Sequence, residues 1–187
     1  MKGLLLLSGG FDSPVAGQVM KKAGVTIVAL HFSNEPFVGK EPEAKARELA
    51  QKLQFEKFLS VDLSSGFAAI AQKCTRKYYF VLSKRLMFRK AETIAKKEGC
   101  SFLITGENLG QVSSQTLSNL HVIDAAVSIP VVRPLIGFDK EEIIARCRAL
   151  GVYELASGKE CCDALGPDHP CTVSSEEIIL EEEKKLV

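Results

Sequence analysis

The segment Ser8-Gly9-Gly10-Phe11-Asp12-Ser13-Pro14 carries the densest chemistry in the chain. It follows a short apolar run and leads into an amphipathic one, so it reads as the turn between a buried strand and a helix. Gly9 and Gly10 let the backbone turn tightly and come close to a ligand. Ser13 is a good helix N-cap, and Pro14 then falls at the first helical position, where its missing N–H costs nothing. The free amides of that helix start make an anion site. Asp12 adds a carboxylate beside it, which suits a phosphate bridged by Mg²⁺ better than a bare phosphate. The loop is not a Walker A motif, because G-x-x-x-x-G-K-[ST] does not occur, and not a dinucleotide fingerprint, because G-x-G-x-x-G is missing. The bland alternative is a plain strand–turn–helix.

A second group is sulfur chemistry. The cysteines are Cys74, Cys100, Cys147, Cys161, Cys162 and Cys171. Cys161 and Cys162 lie in Gly158–Thr172, a Gly/Pro/Cys/Asp stretch without hydrophobic periodicity. Long irregular loops in compact domains are usually functional or mobile. Cys161, Cys162, His169 and Cys171 leave a metal or iron–sulfur site open, although no C-x-x-C spacing is present and adjacent cysteines seldom ligate one ion well. Cys74, Cys100 and Cys147 fall in helical or strand-edge patterns and read as inert core.

The third group is cationic. The stretch from Lys73 to Lys97 holds Lys73, Arg76, Lys77, Lys84, Arg85, Arg89, Lys90, Lys96 and Lys97 against Glu92. Most of these read as a solvated face, and some could touch a nucleic-acid backbone. Lys140 sits in the first turn of a predicted helix, where the dipole disfavours a cation, so a nearby anionic ligand would account for it. A solvated surface lysine is the alternative.

Short apolar runs must position these groups. Leu4–Leu7, Val25–Phe32, Phe58–Leu63, Phe102–Thr105 and Ile129–Val132 read as strands buried on both faces. Ser13–Ala23, Pro42–Leu53, a long stretch from about Cys74 to Glu98, and Lys140–Leu150 read as helices between them. This alternation predicts a doubly wound, Rossmann-like α/β fold with a five-stranded parallel sheet. Asp139 with Glu142 predicts a capping box, and Ser175 before Glu176 and Glu177 predicts an acidic C-terminal helix. Residues 1–173 are expected to form the catalytic unit, with 174–187 as that helix.

The chain has 187 residues, 46% hydrophobic and 25% charged, with Lys+Arg 24 against Asp+Glu 23. That is one ordinary domain, with enough core to need no staples. The net charge of +1 excludes a strongly basic nucleic-acid coat but not a local patch. Neither a signal peptide nor a transmembrane run is legible, so the reducing cytoplasm is expected, without membrane attachment or structural disulfides.

The loop SGGFDS resembles the SGGxDS pyrophosphate loop of the PP-loop ATP pyrophosphatases, which cleave ATP to AMP and pyrophosphate by adenylating an oxygen. Thr105–Thr116 (TGENLGQVSSQT) resembles the TGENLGQVxSQT signature of the tRNA 4-thiouridine synthetases. Arg133–Ile143 (RPLIGFDKEEI) is similar to that family's RPL-x-x-x-DKEEI segment. The resemblance implies an ATP-dependent sulfurtransferase that adenylates a tRNA uridine, with possible sulfur transfer towards thiazole and thiamine. It implies that Leu6, Leu7, Ser8, Gly9, Gly10, Phe11 and Ser13 lie around the phosphates, with Asp12 holding Mg²⁺. His31 and Phe32 would hold adenine, Lys84 and Arg85 would stand near the phosphates, and Gly106 and Gln115 would contact the nucleotide. Lys140 matches the catalytic lysine. Cys162, or its neighbour Cys161, matches the sulfur-handling cysteine, which delivers persulfide sulfur or pairs with a second cysteine such as Cys171.

In the resemblance the usual N-terminal RNA-binding region precedes this unit, and a rhodanese-like domain can follow it. Neither is legible in these 187 residues, so the expectation is a separate RNA-binding partner or a homodimer that helps bind tRNA, or another thiolation substrate. The sulfur source is expected to be a persulfide donor protein or sulfide. Two other readings stay open at this point: an amide-forming PP-loop ligase using ammonia, and a non-catalytic ATP-binding subunit.

Overall fold

The computed structural model describes residues 1–157 and 165–186. Five parallel strands form one sheet: β1 (Lys2–Leu6), β2 (Thr26–Ser33), β3 (Lys57–Asp62), β4 (Phe102–Ile104) and β5 (Val131–Val132), in the order β3-β2-β1-β4-β5. The helices are α1 (Asp12–Lys22), α2 (Glu35–Val38), α3 (Glu41–Lys52), α4 (Ser64–Lys73), α5 (Tyr79–Glu98), α6 (Leu117–Asp124), α7 (Lys140–Ala149), α8 (Tyr153–Ala156) and α9 (Glu176–Lys184). The expected doubly wound α/β sheet is what the chain adopts. No helix among the described residues is long and apolar enough to cross a membrane.

Side chains alternate across a strand, so a continuous apolar run feeds two cores at once. In β1, Leu4 and Leu6 join Val28, Leu30 and Phe32 of β2 under α4, α5 and α9. Leu5 and Leu7 join Ile27 and Ala29 on the other face, under α1, α3 and α7. β1 lies between β2 and β4; the crossover from β1 to β2 runs through α1 on one face, and that from β3 to β4 through α4 and α5 on the other. That arrangement opens a crevice at the carboxyl ends of β1 and β4, where such sheets bind ligands.

β2 also outruns β1. Leu6 is the last residue of β1 paired with β2, at Leu30, whereas His31, Phe32 and Ser33 pair only with Ser60, Val61 and Asp62 of β3. The end of β2 therefore forms one wall of an open space above β1.

Two local expectations are corrected. The helix predicted from about Cys74 to Glu98 forms as α5 but starts later, at Tyr79. α4 ends at Lys73, Cys74 and Thr75 are extended, and a short 3₁₀ turn at Arg76–Tyr78 leads into α5. The cause lies far along the chain: the Glu182 carboxylate accepts from the Thr75 backbone N–H at 2.8 Å and from its hydroxyl at 2.7 Å. Ser13 does not cap α1, which begins at Asp12 after Phe11. Pro14 is consequently the third helical residue rather than the first. The capping box on α7 and the Ser175 cap on α9 form as expected.

Candidate nucleotide site

The loop after β1 is tied by its own serines. The Ser13 hydroxyl accepts from the Ser8 N–H at 3.1 Å and lies 3.2 Å from the Ser8 hydroxyl. The Ser8 hydroxyl in turn accepts from the Gly10 N–H at 3.2 Å. Ser13 is therefore spent on closing the loop instead of capping the helix. Gly9 has φ +91°, a conformation that disfavours any side chain. The first-turn amides of α1 have no partner within the helix and open at this loop.

Asp12 and Lys140 meet here from elements 128 residues apart, with Nζ 3.0 Å from Oδ1 and 3.2 Å from Oδ2. The carboxylate at the start of α1 thus answers the ammonium in the first turn of α7. Two contacts hold that geometry. The Phe11 ring stacks on Tyr153 at 5.3 Å, so Phe11 faces α8 and meets the loop through its backbone. The Cys147 thiol donates to the Phe11 carbonyl at 3.3 Å. Burial, with Asp12 adding to it, pushes the Cys147 thiol up to about 11.

Gly106 follows β4 and touches the same loop. A Cβ there would stand 2.6 Å from the Ser13 nitrogen and 2.7 Å from the Asp12 carbonyl carbon. Only a glycine lets this strand end come so close to the start of α1. The next turn is anchored to the α7 segment, since the Asn108 amide donates to the Phe138 carbonyl and the Leu109 N–H to Ile136 at 3.2 Å.

Beside the loop, a cavity of about 130 Å³ opens at the ends of β1 and β2. Leu6, Leu7, Leu30, Phe32, Phe67, Tyr79, Phe80 and Met87 make it apolar, and Ser8 and Lys84 form its edge. His31 lines it with a fixed tautomer. Its Nδ1 lies 2.9 Å from the Leu7 carbonyl, which can only accept, so Nδ1 carries the proton and Nε2 keeps a lone pair. Burial lowers the imidazole below its ordinary value and keeps it neutral near pH 7. Nε2 has no hydrogen-bond partner among the described residues.

The two neighbouring cations of α5 part company. Lys84 reaches the cavity and pairs with Glu107 at 2.5 Å. Arg85 does not reach it. Its guanidinium is 1% exposed, bonds Glu183 at 2.8 and 3.2 Å, and donates to the Val122 carbonyl. Successive helical positions face about 100° apart, which turns Arg85 towards α6 and α9. Arg89 shares Glu183 at 2.6 Å.

Glu107 itself was not singled out by its spacing. It is buried, accepts from Thr105 at 3.1 Å and from Arg133 Nε at 2.9 Å, and Arg133 grips Asp124 with both remaining nitrogens. Burial alone would raise the Glu107 carboxyl, but Lys84 and Arg133 outweigh it and hold it below the ordinary value. Gln115 is buried in the 3₁₀ turn Ser113–Gln115, with its Oε1 unpartnered among the described residues. Asn34 and Ser83, which belong to no motif, also line the cavity.

Cys161 and Cys162 lie outside the described residues. Cys171 is half-buried, its N–H donates to the Lys77 carbonyl at 2.9 Å, and burial raises its thiol. Among the described residues no three His, Cys, Asp or Glu side chains converge to hold a metal. Asp12 offers one carboxylate, which suits a Mg²⁺ that takes its other ligands from phosphate oxygens and water.

A doubly wound sheet with a serine-tied Gly-Gly loop, a carboxylate–lysine pair and an adjoining apolar cavity defines a PP-loop-type nucleotide-binding domain. The match to the family model described as Thiamine biosynthesis protein (ThiI) covers residues 1–187, and the chain belongs to that family. It is 42% identical over 187 residues to a "Probable tRNA sulfurtransferase" of Thermus thermophilus, covering 97% of this chain and 46% of the relative. A protein of the same description from Alkaliphilus metalliredigens is 42% identical over 191 residues, covering 99% and 49%. The chain thus spans about half the length of the curated relatives it matches. Among solved structures it superposes on a 4-thiouridine synthetase in an RNA complex with bound ATP, with TM-score 0.93, 37% identity, and coverage of 99% of this chain and 50% of that one. NMN synthetase of Francisella tularensis (TM-score 0.65, 19% identity, coverage 99% and 78%) shares the fold.

Proposed function

We propose that this chain is the ATP-using unit of a tRNA sulfurtransferase that replaces a uridine carbonyl oxygen by sulfur. The observation that carries the reading is the Asp12–Lys140 pair on the serine-tied loop, directly beside an apolar cavity that ends at Leu6–Ser8. Family membership and the likeness to a 4-thiouridine synthetase that binds ATP and RNA support it.

In this reading the base of ATP enters the cavity, between Phe32 and the side chains of α5. The phosphates run over Ser8–Ser13 towards the α1 amides. Asp12 holds Mg²⁺, which neutralises phosphate charge when bound. Lys140 turns from Asp12 to the phosphates and stabilises the charge that develops as the pyrophosphate departs. Lys84 stands at the edge of the cavity, and Gln115 offers its unpartnered oxygen to the nucleotide. The uridine carbonyl oxygen attacks the α-phosphorus and pyrophosphate leaves. A sulfur nucleophile then attacks the carbon that bears the adenylated oxygen, and AMP leaves with that oxygen.

With sulfide as nucleophile the balance closes without further redox. With a persulfide on Cys162, the second sulfur must be freed by another thiol such as Cys171, and a thiol reductant must reset the resulting disulfide. tRNA is the substrate, a persulfide donor protein or sulfide is the sulfur source, and a separate RNA-binding segment, partner or second copy assists in holding the RNA. The cytoplasm, which keeps thiols reduced, suits this chemistry.

The test is to incubate the protein with ATP, Mg²⁺, sulfide and unmodified tRNA. A thionucleoside and matching pyrophosphate are expected. Cys162→Ser should retain pyrophosphate release but lose thiolation from a persulfide donor. Pyrophosphate release that is indifferent to tRNA, with no thionucleoside formed even when an RNA-binding partner is supplied, overturns the reading.

A further inference from the structure

Six buried side-chain atoms among the described residues lack a hydrogen-bond partner, and three of them line the same cavity: His31 Nε2, Asn34 Oδ1 and Ser83 Oγ. Their residues are 2%, 3% and 7% exposed. Leaving a polar group buried and unsatisfied is costly, so such groups are rare and call for an explanation. Three around one otherwise apolar space point to a ligand that supplies the missing partners.

Ser83 is the sharpest case. A serine inside a helix commonly returns its hydroxyl to the carbonyl one turn earlier. In α5 the Ser83 hydroxyl has no partner among the described residues and borders the cavity. Asn34 follows β2, where its backbone carbonyl accepts from Phe37 and Val38 and starts α2. Its backbone thus has a structural task, and its side-chain oxygen has none. His31 Nε2 is a fixed acceptor, because Nδ1 is committed to Leu7.

The surroundings narrow the ligand. Phe32, Phe67 and Phe80 suit a flat apolar ring, and Ser8 links the cavity to the phosphate loop. The occupant therefore has a planar body, a polar edge and a phosphate tail. The fixed acceptor on His31 demands an N–H donor at that edge. Serine and asparagine can each meet a donor or an acceptor. A 6-aminopurine offers two N–H donors beside a ring-nitrogen acceptor.

We infer that Ser83 and Asn34 are base-reading residues, which together with His31 select the 6-amino edge of a purine nucleotide. This rests on the cavity being the base pocket of the proposed ATP site. It assigns recognition to two side chains outside every motif noted above.

The experiment measures binding of a non-hydrolysable ATP analogue and of its counterpart lacking the 6-amino group, by calorimetric titration. The wild type, Ser83→Ala and Asn34→Leu are compared, with a melting curve of each protein without nucleotide. The wild type should prefer the amino compound by at least about tenfold, as a site built to hydrogen-bond its substrate does. Each variant should bring the two compounds within about threefold, because the lost bond is one only the amino compound rewards. Neither variant should melt below the wild type, since each removes a buried polar group that has no partner.

A variant that keeps the wild-type ratio removes its residue from base reading, and one that melts lower with that ratio intact shows a structural role instead. Equal binding of both compounds by the wild type overturns this inference alone. Binding of neither overturns the proposed function with it.

Discussion

Replacing Glu107 by Gln tests the charge network behind the site. The carboxylate is buried and shared by Lys84 at 2.5 Å, Arg133 at 2.9 Å and Thr105 at 3.1 Å. Removing one partner of a buried ion pair costs about 3–5 kcal/mol. Two features place this case at the low end. Arg133 keeps both bonds to Asp124, at 2.6 and 2.9 Å, and Lys84, with 23% of its side chain exposed, can turn to water. A loss of about 3 kcal/mol is expected, equivalent to roughly 6–12 °C in Tm for a domain of this size. Scanning calorimetry at pH 7, without nucleotide, reads it directly.

The pH dependence supplies a second check. The folded carboxyl lies below its ordinary 4.5, so its stabilising contribution is complete above that value and declines as pH falls through the folded pKa. The gap between wild type and Glu107→Gln should therefore narrow on acidification below about 4.5. A variant that melts within about 1 °C of wild type, or a gap that widens in acid, would refute the network as described.

Other expectations are simpler. Asp12→Asn should leave Tm within about 4 °C, because a partly exposed ion pair contributes about 0–1 kcal/mol, yet abolish pyrophosphate release in a coupled phosphate assay. Gly106→Ala should cost about 1–3 kcal/mol by urea unfolding and weaken nucleotide binding, because the new methyl must displace the start of α1; unchanged binding would separate Gly106 from the site. Cys147 should resist alkylation at pH 8 in the folded protein, being buried with its thiol near 11. Rapid labelling of Cys147 in a native mass-spectrometric assay would contradict the packing of α7 on the loop.

Much of this architecture is local and therefore legible from residue order. Leu4–Leu7 and Val25–Phe32 are apolar on both alternating faces, which only a strand covered on both sides requires. The Asp139–Glu142 box needs four consecutive residues and was readable for that reason. What escaped was set by distant partners. The break at Cys74–Thr75 depends on Glu182, which no window along α5 contains. Ser13 has the chemistry of a cap but spends its hydroxyl on Ser8. Lys84 and Arg85 look alike in a string of letters, and the helical rotation between them sends one to the cavity and the other to Glu183. Glu107 sat inside a recognised motif, yet its role needs Arg133 and Lys84 to arrive from two other elements. Asn34 and Ser83 carry no spacing signal at all; only the folded cavity exposes their missing partners.

The bond between Arg85 and Glu183 spans 98 positions and has a consequence for the order in which the chain can fold. Synthesis delivers Arg85 long before Glu183, and α5 packs on β1, β2 and β4, all of which precede α9. Until α9 docks, a guanidinium that ends 1% exposed must remain in water. Docking of α9 brings the counter-charge to that guanidinium, so the seating of α5 is expected to be coupled to it. On this account the nucleotide crevice matures late, after the sheet has formed, and premature closure around an incomplete polypeptide is disfavoured by the energetics of one buried cation.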